Sequence, residues 1–214
     1  MKAPSSSKHW MPFAYAWRKT LNKKKGTALA NRLIERAQSR YAALYSSQIK
    51  LSTRMLQLHH ERVLLPALAM YQALRDEGEN RETALETTEN LFSIEIKSIK
   101  RFIELVGRMP FFFKLVRALI HPVMKVVFPQ EGWKAEWIDE IPQIIAFNIR
   151  SCVYFETLSA YGAPELGTIF CALDNFVFDE VSPYIRWERT QTIARGGEFC
   201  DFRFYPGETN DAGR

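Results

Sequence analysis

Along the first two thirds of the chain, apolar residues return every three to four positions. From Thr27 to about Lys50, the residues Leu29, Leu33, Ile34, Ala37, Tyr41 and Leu44 fall on one stripe, which predicts an amphipathic helix. The segment Ser52 to Arg75 carries Met55, Leu56, Val63, Leu64, Leu65, Leu68, Met70 and Leu74. Pro66 lies inside it, so a kink or a break is expected there, because proline removes a helix donor and clashes with the preceding turn. Gly78 supplies a stop and Asn80 a cap for a helix from about Arg81 to Arg108, with Leu91, Ile94, Phe102, Ile103 and Val106 on its stripe. Pro110 ends that helix and opens PFFFKLVRALIHPVMKVVF, which contains Pro122. This segment suits a core helix forming a hydrophobic wall around a ligand, or an interfacial helix.

The period changes after Trp133. The run QIIAFNIRSCVYF is rich in β-branched and aromatic residues and predicts a strand from about Gln143 to Arg150, then a helix around Tyr154 to Ala160. Gly162, Ala163 and Pro164 break the chain, and Glu165 to Val177 reads as a helix with Leu166, Ile169, Phe170 and Leu173 inward. Two alternating runs follow, Ile185 to Ala194 and Phe199 to Tyr205, joined at Gly196 and Gly197. A tight turn at the glycines pairs Arg195 with Glu198, Ile193 with Cys200 and Thr192 with Asp201. Strand alternation then puts Ile193, Cys200, Phe202 and Phe204 on one face and Glu188, Thr190, Thr192, Asp201 and Arg203 on the other. The resulting class is α+β: a helical N-terminal part packed on a small antiparallel sheet formed mainly by the C-terminal third. Residues 27–207 read as a single domain, 1–26 as a basic, partly ordered leader and 208–214 as a flexible tail.

Composition narrows the function classes. The chain is 47% hydrophobic and 25% charged, and no apolar run is long enough for a membrane helix, so stable membrane insertion is not expected. The net charge of +5 is local: residues 1–34 hold eight of the 29 Lys and Arg and no acid. The rest carries 21 basic against 24 acidic groups, a net of −3, which gives no support to nucleic-acid binding. In the leader, Arg18, Lys19 and Lys23 to Lys25 accompany Trp10, Phe13, Tyr15 and Trp17; this suits a solvated arm, contact with an anionic membrane or an organelle address. No secretory signal is read, and three widely spaced cysteines argue for reduced thiols and a cytoplasmic location.

Candidate chemistry is sparse. Walker, G-x-G-x-x-G and G-x-S-x-G motifs are absent, HHERVLLP is not a zinc helix, and no C-x-x-C pair occurs, so neither a metal nor a cofactor is expected. Cys200 on the apolar strand face is either a small buried hydrophobe or a nucleophile made reactive by Arg189, Arg195 or a histidine. His59 and His60 are candidate proton carriers, His60 the one retained. Asp174 sits three residues after Cys171 on one helical side.

The ordered set EGW (131–133), FNIRSC (147–152), YGAPEL (161–166), Cys171-x-x-Asp174 and RTQTIARGGEFCDFRF (189–204) resembles the L-2-amino-thiazoline-4-carboxylic acid hydrolase family. LPALAMYQALRDEGENRETAL (65–85) is also similar, so the likeness covers about residues 55–205 and leaves out the leader. It implies hydrolysis of a carbon–nitrogen bond in a small cyclic amidine, opening a thiazoline ring toward a carbamoyl-cysteine. On that pattern Cys200, Asp201 and Asp174 are catalytic candidates and Arg189, Thr192, Cys152 and Cys171 substrate-binding ones; His60 joins the catalytic set from its residue type alone. Other readings stay open: a biosynthetic enzyme of the same fold performing ring closure or isomerisation, a non-catalytic small-molecule binder, and a thiolate metal centre. A homo-oligomer is compatible with all of them.

Overall fold

A computed structural model of the chain describes residues 9–138 and 143–207. The expected tail at 208–214 and the first eight residues of the leader lie outside them. The contacts divide the chain into two compact units, residues 1–95 and 96–214.

The N-terminal unit is helical. Helix α1 spans Ala14–Lys25, α2 Thr27–Ser47, α3 Arg54–His59 and α4 Leu65–Asp76, and α5, Arg81–Gly107, begins there. Within the described part of the leader, Ala14–Lys25 is therefore helical. Trp17 and Leu21, four residues apart, are fully buried, and the Trp17 ring meets Phe92 edge to face at 5.1 Å. Met11 donates its amide to Gln38 at 2.8 Å, which pins the chain ahead of α1. Lys23, Lys24 and Lys25 end the helix, where positive charge suits its dipole.

The break expected near Pro66 takes a specific form. Residues His60–Leu64 make a π-helical turn, and the Leu65 amide reaches back five residues to the His60 carbonyl. Pro66 then sits in the first turn of α4, where its missing amide goes unused. Helix α4 is buried on nearly every side from Leu65 to Leu74, making it the unit's central helix. Gly78 turns with φ +90°, and Asn80 accepts from Thr83 at 2.8 Å to start α5, as the sequence indicated.

The C-terminal unit follows the α+β plan. After α6 (Phe112–Val127) come β1 (Trp133–Trp137), β2 (Ile145–Cys152), α7 (Val153–Ala160), α8 (Gly167–Phe178), β3 (Ile185–Glu188) and β4 (Cys200–Pro206). The strands form one antiparallel sheet in the order β1-β2-β4-β3. Strand β1 is an addition to the expected elements. Its sequence WKAEW does alternate, but five residues are too few to separate from a loop.

Two features of the sheet decide where side chains point. In β2 and β4, Phe147 faces Phe202 and Ile149 faces Cys200, so these residues share one side of the sheet. The β1–β2 register then slips, with Ala135 opposite Ile149 but Trp133 opposite Cys152. This irregularity adds one residue to β2 and returns Cys152 to the side of Ile149, which simple alternation would not do.

The glycine hairpin is corrected. Strand β3 stops at Glu188, which pairs with Arg203 instead of Tyr205, and Gly196-Gly197 is not a two-residue turn. The physical cause is Asp201. Its carboxylate accepts from the Thr190 and Gln191 amides, drawing both residues out of the ladder. The chain then makes a 3₁₀ turn at Ile193–Arg195 and reverses at Gly196 with φ +85°. The two faces expected for β4 survive, because alternation within one strand does not depend on its partner's register.

Candidate functional site

A cavity of about 300 Å³ opens in the C-terminal unit. Its floor is the sheet side carrying Phe147, Ile149, Cys200, Phe202 and Phe204. Helix α8 contributes a stripe at helical spacing, Gly167, Phe170, Cys171, Asp174, Val177 and Phe178, and α6 adds Ile120, Val123 and Met124. The inner edge of α6 thus forms the apolar wall that its sequence suggested, while Leu119 and Val126 remain exposed. Among the described residues no helix is long and apolar enough to cross a membrane.

Among the described residues, Asp174 and Arg189 are the charged ones lining this hollow. Arg189 follows β3, and its side chain is only 5% exposed. It donates to Asp174 Oδ2 at 2.8 Å, to the Cys171 carbonyl at 2.7 Å and to Asn175 Oδ1 at 2.7 Å. Its guanidinium also lies over the rings of Trp187 and Phe202, at 5.1 and 5.3 Å. Asp174 keeps 40% of its side chain accessible, yet the protein around it strips enough water to push its carboxyl up to about 6. The neighbouring Arg189 pulls the other way without cancelling that effect. A carboxylate poised at this value can take and return a proton near neutrality.

A sequence model of the L-2-amino-thiazoline-4-carboxylic acid hydrolase family matches residues 57–204. The chain belongs to this family. Comparison with curated proteins and with solved structures finds no match. In this family member the match runs from the end of α3 to β4, so it takes in every strand and most of the residues that line the hollow.

All three cysteines of the family member line the hollow. Burial pushes their thiols up, Cys200 to about 11 and Cys152 to about 12, with Cys171 also raised. The Ile193 amide donates to Cys200 Sγ at 3.3 Å and, with Arg189, offsets part of the effect of burial on that thiol. Thr192 lies beside Cys171 and favours its thiolate, although its hydroxyl makes no hydrogen bond of good geometry. Among the described residues no group of three or more His, Cys, Asp or Glu side chains could hold a metal ion.

Two sequence candidates stand elsewhere. Asp201 lies on the reverse side of β4 and is only 7% exposed. Its oxygens accept from the Thr190 amide at 3.0 and 3.1 Å, the Thr190 hydroxyl at 2.8 Å and the Gln191 amide at 2.8 Å. Burial alone would raise its carboxyl, but these bonds outweigh that and hold it below the ordinary carboxylate range. His60 belongs to the N-terminal unit, in the π-helical turn, with Nδ1 2.8 Å from Gln48 Oε1. Burial lowers its affinity for a proton, and Glu61 acts in the opposite sense.

The sequence reading missed Asn175 and Tyr154. Asn175 orients Arg189, and the only signal for it was its place beside Asp174. Tyr154 packs against Phe170 at 4.7 Å on the cavity wall, and its burial raises its hydroxyl. It stands two residues beyond Cys152, where the chain turns from strand into helix.

Proposed function

We propose that the protein is a small-molecule hydrolase that opens a carbon–nitrogen bond in a cyclic amidine of the thiazoline-carboxylate type, bound in the cavity of the C-terminal unit. The observation behind this reading is Asp174, a carboxyl held near 6 and oriented by Arg189 on the wall of an otherwise apolar hollow. Water adds to the electrophilic ring carbon while Asp174 takes its proton. As the tetrahedral carbon collapses to a carbonyl, its hydroxyl proton and the proton held by Asp174 both pass to the ring nitrogen, which leaves as an amine and regenerates the carboxylate. Arg189 keeps Asp174 ionised and aimed, and the apolar walls exclude competing solvent.

Water is preferred over a thiolate as nucleophile. With Cys200 pushed up to about 11, only about one thiol in 10⁴ is ionised at pH 7. Cys152 and Cys171 are raised in the same direction. In this reading the three sulfurs shape and line the pocket. The apolar lining also supports a second reading, in which the same proton transfer serves a larger, less polar ring.

The test is an assay of ring opening of L-2-amino-thiazoline-4-carboxylate between pH 4.5 and 8. The expected rate rises with pH through a limb near 6, as Asp174 ionises. A rate with no such limb removes Asp174 as the base. No turnover on this compound, together with turnover of bulkier cyclic amidines, selects the second reading.

A further inference from the structure

On the other side of Arg189 lies a second hollow of about 360 Å³, and its character is opposite. Among the described residues it is lined by Arg189, Arg195, Thr192, Gln191 and Asn175, together with Thr190 and the two glycines of the 189–199 loop, and by no acidic one. Three observations single it out. Thr192 is 4% exposed and lines this hollow, and its hydroxyl, beside Cys171, makes no hydrogen bond of good geometry among the described residues. A buried hydroxyl without a partner is an unfavourable arrangement that a ligand oxygen would relieve. The exposed Arg195 at the edge of the hollow has a guanidinium with no ion-pair or hydrogen-bond partner among the described residues. Arg189, by contrast, is already neutralised by Asp174, so the pocket offers one uncompensated positive charge.

The loop holds this arrangement open through its backbone. The Thr192 carbonyl accepts from the Arg195 amide at 3.0 Å and from the Gly197 amide at 2.9 Å. A Cβ on Gly197 would come within 2.8 Å of Gln191 Oε1 and 3.0 Å of the Thr192 carbonyl, so only glycine lets the two sides of the loop approach this closely. The amides are spent on closing the loop, which leaves side-chain donors to face the hollow.

We propose that this pocket is an anion subsite that takes the carboxylate of an organic monoanion, with Arg195 and Thr192 as its donors. Among the described residues a single free guanidinium faces the hollow, which matches a planar, singly charged carboxylate and leaves a second negative charge without a second free cation. The hollow adjoins the apolar cavity at Arg189, and the Thr192–Cys171 contact lies between the same two spaces. A ligand with an apolar ring and a carboxylate therefore has a place for each part. As a statement of how a substrate is oriented this rests on the hydrolase reading. As a binding site it stands on its own residues.

The experiment is calorimetric titration of the full-length protein with benzoate and with its uncharged counterpart benzamide. Benzoate is expected to bind about 10-fold or more tightly than benzamide, the usual worth of hydrogen bonds to a charged group. In Arg195→Gln that preference falls to within about twofold, and Arg195→Lys keeps part of it because the charge remains. Thr192→Val weakens benzoate several-fold without lowering the melting temperature, since no internal hydrogen bond is lost. Equal binding of the two probes by the native protein, or an undiminished benzoate preference in Arg195→Gln, overturns the assignment. A benzoate preference that disappears in Arg195→Gln supports the subsite even where no thiazoline turns over, and that pair of results rejects only the hydrolase reading.

Discussion

Asp174 and Asp201 lie on opposite sides of strand β4, and their surroundings push them in opposite directions. On the cavity side the nearest material is hydrocarbon and thiol, so the cost of desolvation prevails and Asp174 is held near 6 despite Arg189. On the reverse side Asp201 is also withdrawn from solvent, yet backbone amides and a hydroxyl reach it and the ionised form prevails. The difference shows that burial alone does not set a carboxyl's behaviour. What decides is whether burial brings donors with it. A satisfied carboxylate builds structure, and an under-satisfied one is available for chemistry.

The largest test of this division is a pair of substitutions. Asp174→Asn is expected to lower turnover of the proposed thiazoline substrate by roughly 10² to 10⁴, the range general acid–base groups contribute, without lowering the melting temperature. Asp201→Ala should do the reverse, with stability falling on the order of 3 kcal/mol because the amides of Thr190 and Gln191 lose their acceptor. Its residual turnover, measured on the folded fraction, stays close to native. Turnover lost in Asp201→Ala at full occupancy of the folded state would reverse the two roles.

The pH dependence of stability sharpens the same contrast. The folded carboxyl of Asp201 lies below its unfolded value, so its contribution is present above about pH 4 and is lost as pH falls through the folded value. Asp174 has the opposite sign: its folded value of about 6 lies above the unfolded one, so stability declines as pH rises from about 4 to 6. Chemical denaturation between pH 3 and 8 should therefore show the acid loss disappear in Asp201→Ala and the decline toward pH 6 disappear in Asp174→Asn.

Arg189 connects the two sides and gives a smaller effect. Its charge and hydrogen bond oppose the rise of Asp174. Arg189→Gln should move the ascending limb of the pH–rate profile above 6, and Arg189→Lys should move it less. A limb that stays in place in Arg189→Gln would show that another group sets it.

Much of this arrangement was written in the sequence at the level of period and much less at the level of partners. The stripe of α8 and the two faces of β4 follow from spacing alone, which is why Cys171, Asp174 and Cys200 could be named together. The expected strand near Gln143 and the Asn80 cap also correspond to local patterns. The hairpin register did not, because it depends on a carboxylate ten residues away capturing two amides, a choice that glycine content cannot report. Cys152 reaches the cavity through a register slip, and the Arg189 triad of Asp174, Asn175 and the Cys171 carbonyl needs the fold to assemble it. His60 had no signal beyond its residue type, and the helix in the basic leader was hidden by its charge even though Trp17 and Leu21 have helical spacing.

The smallest expected effect concerns Cys200, and it bears most directly on the division between the two sides of β4. This residue is 7% exposed, its sulfur accepts from the Ile193 amide, and its thiol is pushed up to about 11. Cys200→Ala removes one buried sulfur from the cavity wall, so a stability loss of about 1 kcal/mol and a change in turnover of only a few-fold are expected. Maleimide labelling at pH 7 should be slow at Cys200 and should quicken as pH rises toward 11, following the thiolate. If Cys200→Ala instead abolishes turnover while the fold and substrate binding persist, the sulfur forms the bond. The carboxylate at Asp174 would then serve it as a proton carrier, and the apolar side of β4 would hold a nucleophile ionised only when substrate is bound.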